Sequence, residues 1–147
     1  MTPTPSNLPT IGRKTYVDLL DFDMNNVAVK VDTGAYHNAI HCSHVEVITE
    51  GKKKYLQFRI LDSQHPQYKD RLVTVSRFGK KRVVNSFGQS QTRYLVRLSF
   101  RINGINKIYK MHFTLADRSR MRTPVLLGRK FLRHRFIVDV RHTTPIQ

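Results

Sequence analysis

The stretch Val31-Asp32-Thr33-Gly34-Ala35 places an acidic residue where an apolar segment ends. Residues 26–32 alternate between apolar and polar side chains, which predicts a strand leading into Asp32. Gly34 allows the backbone to turn there and brings bare N–H groups close to the carboxylate. The Thr33 hydroxyl can brace the loop. An ordinary turn after a strand is the simpler interpretation of these residues taken alone, because Asp and Gly are common in turns.

A second stretch, residues 124–132, reads Pro-Val-Leu-Leu-Gly-Arg-Lys-Phe-Leu. It predicts a short apolar strand that runs into a helix over residues 128–134. The simple interpretation is a core strand with a helix packed behind it. Arg129 is a long charged side chain at a turn predicted to be buried, and a buried arginine requires a carboxylate partner. The candidate partners are Asp139, Asp117 and, through a dimer contact, Asp18. The alternative is a surface arginine at the start of a helix, because arginine is mostly exposed.

The rest of the chain is rich in short apolar segments of period two, broken by turn residues. Asn103-Gly104 predicts a tight hairpin turn. The class predicted is all-β, a small closed or half-closed barrel with one short C-terminal helix. Strands are predicted over residues 15–19, 26–32, 55–61, 72–75, 82–86, 93–102, 107–115 and 136–140.

The length of 147 residues predicts one domain, and the proline-rich residues 1–10 predict a flexible N-terminal arm before it. The 26 Lys and Arg residues against 10 Asp and Glu give a net charge of +16. This charge balance excludes a highly acidic chain and favours an anionic partner. Cys42, the one cysteine, excludes an internal disulfide and fits a reducing compartment. With no long apolar run and no secretory signal pattern, the sequence predicts a cytoplasmic protein with no membrane partner.

The two motifs together resemble the retropepsin-like aspartic proteases, in which an apolar-Gly strand lies beside an Asp-Thr-Gly loop. The chain is most similar to a bacterial and archaeal family labelled "ATP-dependent zinc protease" and associated with RimK-type glutamate ligases. The similarity spans residues 11 to about 141, and residues 36–38 depart from the small and hydroxylic residues usual after the motif. The matching segments are residues 11–14, 30–35, His41, residues 93–94, residues 115–121 and residues 124–132.

The resemblance implies a retropepsin-like domain over residues 11–147, with Asp32, Thr33 and Gly34 as catalytic residues. It also implies structural support of the site from Leu126, Leu127, Gly128 and Arg129. Aspartic proteolysis uses two carboxyl groups that share a proton. Since no other Asp in the chain is followed by Thr-Gly or Ser-Gly, the second carboxyl is expected from Asp32 of a partner copy in a homodimer.

A substrate-covering flap is expected between the two motifs, and residues 82–94 are the best candidate. Phe87 is expected to cover an apolar substrate side chain, and Arg82 or Arg93 an acidic one. An ordinary exposed hairpin is the alternative for this segment. The predicted substrate-binding residues are Ala35, Arg82, Asn85, Ser86, Phe87, Gly88 and Arg93.

The words "zinc" and "ATP" in the family label find no support in the residues. If residues 37–44 were extended, His37 and His41 would share one face and Cys42 and His44 the other, so they would not converge on a tetrahedral site. There is no phosphate-binding loop of the Gly-x-x-x-x-Gly-Lys type. We therefore predict no metal and no cofactor, with Cys42 as a small buried residue.

Two functions remain open from the sequence. One is an aspartic endopeptidase that acts as a homodimer on peptide or protein substrates, with acidic or glutamate-tailed proteins as candidates suggested by the resemblance. The other is a non-catalytic basic module that binds RNA, the ribosome or an acidic protein. The intact Asp32-Thr33-Gly34 sequence favours the first, whereas the charge of +16 fits both.

Overall fold

Eleven strands and two short helical elements follow one another in the computed structural model, which describes residues 7–85 and 87–143. The strands are β1 (Thr10–Ile11), β2 (Lys14–Leu19), β3 (Met24–Val31), β4 (Asn38–Glu50), β5 (Lys53–Ile60), β6 (Val73–Val75), β7 (Gly79–Val84), β8 (Ser90–Ile102), β9 (Tyr109–Ala116), β10 (Val125–Leu127) and β11 (Ile137–Val138). The helical elements are a 3-10 turn at Leu20–Phe22 and helix α1 at Arg129–Leu132.

Six of these strands close into a barrel in the order β10, β3, β2, β8, β9, β4 and back to β10. The short β10 completes the ring, because Val125 pairs in parallel with Val29 of β3 and antiparallel with Ile40 of β4. Closure removes the free edges that an open sheet would expose. The predicted all-β class and closed barrel are confirmed.

The barrel core follows from the period-two pattern of its strands. Side chains alternate between the two faces of a strand, so every second residue points inward. In β3 the inward residues Val27, Val29 and Val31 are all buried. The core is closed by an aromatic cluster in which Phe100 contacts Phe113 and Phe131, with ring centroids 5.5 and 5.3 Å apart. Burial of each such side chain contributes roughly 1.5–3 kcal/mol.

Strand β4 was not predicted from the sequence, although it is one of the two longest. Its first half, through His41, pairs with β9 and β10 inside the barrel, and its second half pairs with β5 in a three-stranded extension that ends at β6. Consecutive buried residues and a bulge between Cys42 and His44 hide the period-two pattern. A strand covered on both faces loses the alternation on which the sequence analysis relied.

The connection between β8 and β9 contains the predicted turn but is longer than a tight hairpin. The chain turns at Asn103-Gly104, where the Ile105 N–H donates to the Ile102 carbonyl oxygen over 3.0 Å, whereas the pairing of β8 with β9 ends at Phe100 and Tyr109. Ile102 pairs with Val17 of β2, and the Asn103 N–H donates to the Tyr16 carbonyl oxygen over 3.0 Å. The end of β8 is therefore committed to β2 and does not fold back at once onto β9.

The two ends of the described chain lie together. Thr10 pairs with Ile137 in the small β1–β11 sheet, so regular structure begins at the last residue of the predicted arm. Residues 1–6 lie outside the described residues. No helix in the described part of the chain is both long enough and apolar enough to span a bilayer.

Candidate active site

The Asp32 side chain lies at the exit of β3, in a loop closed by its own carboxylate. The Gly34 N–H donates to Asp32 Oδ1 over 2.9 Å, and the Ala35 N–H donates to the Asp32 carbonyl oxygen over 3.3 Å. A Cβ atom on Gly34 would lie 3.1 Å from Asp32 Oδ1, closer than ordinary van der Waals contact. Asp32 remains 26% exposed, and both Thr33 and Gly34 are exposed. The loop thus presents an oriented carboxylate at the surface of the single chain.

Strand β10 and Gly128 support this loop from behind. Leu126 and Leu127 are buried, and Gly128 is buried where β10 ends. The Gly128 N–H donates to Oδ1 of the buried Asn38 over 2.9 Å. A Cβ atom on Gly128 would lie 2.7 Å from the carbonyl oxygens of both Tyr36 and His37, so a side chain here would displace the segment that follows Asp32.

Arg129 fixes the same segment from the start of helix α1. Its N–H donates to the Ala35 carbonyl oxygen over 2.7 Å, and its Nη1 donates to the Thr33 carbonyl oxygen over 3.1 Å. The guanidinium also lies over the Tyr36 ring, 5.6 Å from the centroid. Arg129 is exposed, so the predicted buried ion pair with Asp139, Asp117 or Asp18 is wrong. A planar guanidinium satisfied by a carbonyl and an aromatic face needs no carboxylate.

A lysine lies beside the Asp32 carboxylate. Lys30 Nζ lies 3.6 Å from Asp32 Oδ2. Burial lowers the pKa of Arg118, the charge of Arg93 lowers it further, and the charge of Asp32 raises it. Among the described residues, no second carboxyl group is hydrogen-bonded to Asp32. One chain therefore supplies one carboxyl to this site.

The predicted flap is a hairpin formed by β7 and the first half of β8, with Val84 opposite Ser90 at its end. Asn85 organises the turn, because its Oδ1 accepts hydrogen bonds from the N–H groups of Phe87 and Gln89. Phe87 is 87% exposed and Gly88 has a φ of +80°. The predicted site residue Ser86 lies outside the described residues.

The two arginines that were candidates to contact an acidic substrate side chain lie on opposite faces of the hairpin. Arg93 is paired with Lys81, and Arg82 is paired with Thr92 in the adjacent position. Since side chains alternate between strand faces, Arg93 and Arg82 lie on opposite faces. Lys81 and His37 line the same groove, so the face of Lys81 and Arg93 is the one next to the segment that follows Asp32. Arg82 lies on the opposite face.

The buried His41 and the partly buried Asp62 form a pair that the sequence analysis did not assign to the site. His41 Nε2 lies 2.7 Å from Asp62 Oδ2, and its Nδ1 accepts the Arg118 N–H over 2.8 Å. Asp62 also accepts the Gln64 N–H. Burial acts to raise the pKa of Asp62, but the hydrogen bonds from Gln64 and the two histidines outweigh it and hold the pKa below its usual value. The only signal in the sequence was the position of His41 within the resembling segments.

Candidate zinc ligands do not cluster in the described part of the chain. Within residues 7–85 and 87–143, no three His, Cys, Asp or Glu side chains converge as a metal site would require. Cys42 is buried, as expected, and burial raises the pKa of its thiol well above the usual range. A thiol in that environment is a poor nucleophile.

An apolar strand that ends in Asp-Thr-Gly, an apolar-Gly strand bonded beside it and a hairpin between them define the retropepsin-like class of aspartic peptidases. A family model described as "RimB-like: Retropepsin-like aspartic endopeptidase RimB" matches residues 10–146. The chain belongs to this family.

Two curated relatives and one solved structure are similar to the chain. Proteins named "Probable alpha-L-glutamate ligase" from Desulfotalea psychrophila and Parasynechococcus marenigrum are 26% and 24% identical over 133 residues. Those residues are 88% of this chain but 27% of each relative, so the chain spans about a quarter of their length. A crystal structure of a Legionella pneumophila protein of unknown function matches with a TM-score of 0.70 and 24% identity, covering 95% of this chain and 98% of that one. This last likeness shows the fold alone.

Proposed function

We propose that this chain is an aspartic endopeptidase whose active form is a homodimer with the two Asp32 carboxyl groups at the two-fold axis. One carboxylate would activate a water molecule as general base, and the other would protonate the carbonyl oxygen of the scissile peptide bond. The observation that carries the proposal is the exposed Asp32 carboxylate, oriented by Gly34 and supported by Gly128.

The other aspartates support a dimer, because each has a different task. Asp62 is bound to His41, Asp139 pairs with Arg141, and Asp21 accepts the Ser99 N–H over 2.7 Å. The remaining ones are Asp18, Asp23, Asp70 and Asp117, which bind Asn26, Lys69, Arg59 and Ser119 respectively. A dyad at Asp32 therefore calls for a second copy of the chain.

The β7–β8 hairpin is the proposed flap. Phe87 and Val84 expose large apolar side chains at its tip, which suits them to cover a bound peptide. Ala35, Asn85 and Gly88 would contact the substrate main chain, and Arg93 an acidic side chain. Because the curated relatives are named glutamate ligases, we infer that acidic or glutamate-tailed proteins are the substrates.

The test is a cleavage assay on a panel of acidic and neutral peptides with wild type and Asp32→Asn. We expect wild-type cleavage with a bell-shaped pH profile, because the working dyad holds one proton and fails with two or none. The variant should retain its fold by circular dichroism and lose essentially all activity. Addition of EDTA should leave the activity of the wild type unchanged. Survival of activity in Asp32→Asn would contradict the mechanism.

One observation favours a second role as a basic binding module. A groove of about 330 Å³ beside the flap is lined by cationic and histidine side chains and by no carboxylate. Its basic lining consists of His37, Lys81, Arg97, Lys110, His112 and Lys130. RNA binding measured by fluorescence polarisation between 50 and 200 mM salt (about the range over which phosphate contacts weaken strongly) would test this role.

A further inference from the structure

A continuous band of basic side chains extends from the flap hairpin to the residues that follow helix α1. It joins the groove of about 330 Å³ beside the flap to a second hollow of about 530 Å³. The two hollows are adjacent, because Met111 and Lys130 line both of them. To the basic lining of the groove, the second hollow adds Arg133, His134 and Arg135. The basic side chains of both hollows together are called the basic band.

Strand register places the groove part of the band on the outer face of the barrel. Arg97 alternates with buried residues of β8, so its side chain points outward. It is paired with His112 of β9, and Lys110, two residues before His112, lies on the same face. Lys81 joins them from β7 and Lys130 from helix α1. Four separate elements therefore contribute basic side chains to one surface.

The protein does not neutralise the charge of the basic band. Among residues 7–85 and 87–143, no carboxylate lines either hollow. In the same part of the chain, the Lys and Arg side chains that form ion pairs with carboxylates all lie outside the band, and they are Lys30, Arg59, Lys69 and Arg141. By contrast, the β4–β5 hairpin places Glu50 opposite Lys53. The positive charge of the band is therefore available to an anionic partner.

Flat and apolar side chains line the same groove as the cations. Leu95 and Met111 are half-buried there. Burial lowers the pKa of His37, and the charges of Lys81 and Lys130 lower it further, so this imidazole is uncharged at neutral pH. Nucleobases stack on flat rings and pack against apolar groups. An acidic peptide would instead have to desolvate carboxylates against Leu95 and Met111, which is costly.

We propose that the basic band binds a single-stranded segment of RNA, with its Lys and Arg side chains on the phosphates and with His37, Leu95 and Met111 against the bases. A single strand suits the band better than a duplex, whose stacked bases cannot reach these side chains. RNA is the nucleic acid that commonly presents such unpaired segments, in its loops and bulges. The proposal deepens the binding role proposed for the groove by naming its partner. It does not depend on peptidase activity, because Asp32 lines neither hollow.

Two triple variants that lose the same charge test the location of the site. Both replace exposed lysines by glutamine, so melting temperatures are expected to change little. The band variant combines Lys81→Gln, Lys110→Gln and Lys130→Gln. The control variant, at the tip of the β4–β5 hairpin, combines Lys52→Gln, Lys53→Gln and Lys54→Gln. Binding of a fluorescein-labelled uridine dodecamer is measured by polarisation between about 50 and 200 mM salt.

The salt dependence of affinity counts the phosphate contacts. Each phosphate of a single strand that a cation neutralises adds about 0.7 to the slope of log affinity against log salt concentration. We expect the band variant to lose about 2 from this slope and about a hundredfold in affinity at about 0.1 M salt, and the control variant to keep both. Equal losses in the two variants would overturn the band as the site, while the broader role of a basic binding module would stand.

The identity of the partner is tested with three further probes of the same length. They are the uridine strand in a duplex with an adenosine strand, a thymidine DNA strand, and a peptide of twelve glutamates. We expect the glutamate peptide, although similarly charged, to bind about tenfold more weakly than the uridine strand, because it has no bases to stack. Equal or tighter binding of the peptide would assign the band to acidic proteins and overturn the proposal. Tighter binding of the duplex or of the DNA strand would also overturn it.

Asp32→Asn separates this site from the proposed peptidase site. We expect this variant to bind the uridine strand as tightly as the wild type does, because Asp32 lines neither hollow. A loss of binding would place the strand at Asp32 and overturn the band. Since no cleavage is measured, a wild type without peptidase activity leaves these outcomes unchanged.

Discussion

The main-chain N–H of Asp32 donates a 2.9 Å hydrogen bond to the carbonyl oxygen of Leu127. This bond joins the Asp32 loop to the last residue of β10, just before Gly128. The two motifs that stand far apart in the sequence are therefore one structural unit. Anything that displaces the end of β10 is expected to displace the Asp32 carboxylate.

Gly128→Ala is expected to damage both stability and activity. The added Cβ would lie 2.7 Å from two carbonyl oxygens, which are backbone atoms that cannot rotate away. Overpacking of this kind costs about 1–3 kcal/mol, which urea denaturation would measure. Displacement of Asp32 should lower kcat/KM on the order of a hundredfold.

Gly79→Ala is the matched control. A Cβ at Gly79 would lie 3.8 Å from the Leu95 side chain, an ordinary contact in the middle of the flap hairpin. Alanine in a strand is expected to be neutral or to stabilise by about 0.5–1 kcal/mol. Equal losses in the two variants would mean that glycine is needed for flexibility and not for close approach.

A homodimer whose axis passes through the two Asp32 loops is the second prediction. Sedimentation velocity over a range of concentrations should give a monomer–dimer equilibrium, and cleavage rates should follow the dimer fraction. Thr33→Arg is expected to weaken the dimer, because it adds a bulky charge where the two loops meet. A dimer that is unaffected by this change would have its axis elsewhere, and the dyad mechanism would fail.

Acid stability should depend on the Asp139–Arg141 ion pair. Hydrogen bonds from the Arg141 side chain and main chain hold the pKa of Asp139 well below its usual 3.8. A depressed pKa stabilises the folded state above the unfolded-state value, and this contribution is lost as the pH falls through the folded-state value. Thermal melts from pH 5 down to pH 2 should show a steeper loss in wild type than in Asp139→Asn. If the melting temperatures of wild type and Asp139→Asn fall in parallel with pH, the ion pair contributes nothing to acid stability.

Substrate charge should be recognised at Arg93. Arg93→Glu is expected to raise KM for an acidic peptide about tenfold and to change KM for a neutral peptide little. Lys53→Glu makes the same charge change at the tip of the β4–β5 hairpin, opposite Glu50. The effect of Arg93 should weaken at high salt, because screening shortens the reach of exposed charges to about 8 Å at physiological ionic strength. If Arg93→Glu and Lys53→Glu raise KM for the acidic peptide equally, the positive charge of the chain acts only as a long-range electrostatic field.

The local patterns in the sequence were sufficient for the class and for most of the strands. β3 and β8 have one face toward the core, so their alternation is visible in the residues. β4 is flanked by β9 and β10 and carries consecutive buried residues, and for that reason its period was hidden. The turn at Asn103-Gly104 forms as predicted, but the hairpin around it is wide because a neighbouring strand, which no local pattern reveals, pairs with the end of β8.

The sequence by itself determined that Asp32 stands at a strand exit, since this follows from residue types at short spacing, and the resemblance to a known family implied that the apolar-Gly motif would support it. Only the tertiary structure decided the surroundings of that carboxylate. Barrel closure places His41 between Asp62 and the main-chain N–H of Arg118, and strand register puts Arg93 and Arg82 on opposite faces of the hairpin. Residues distant in the chain become neighbours through strand pairing, and a shift of one residue in a register would reverse which side chains face the site.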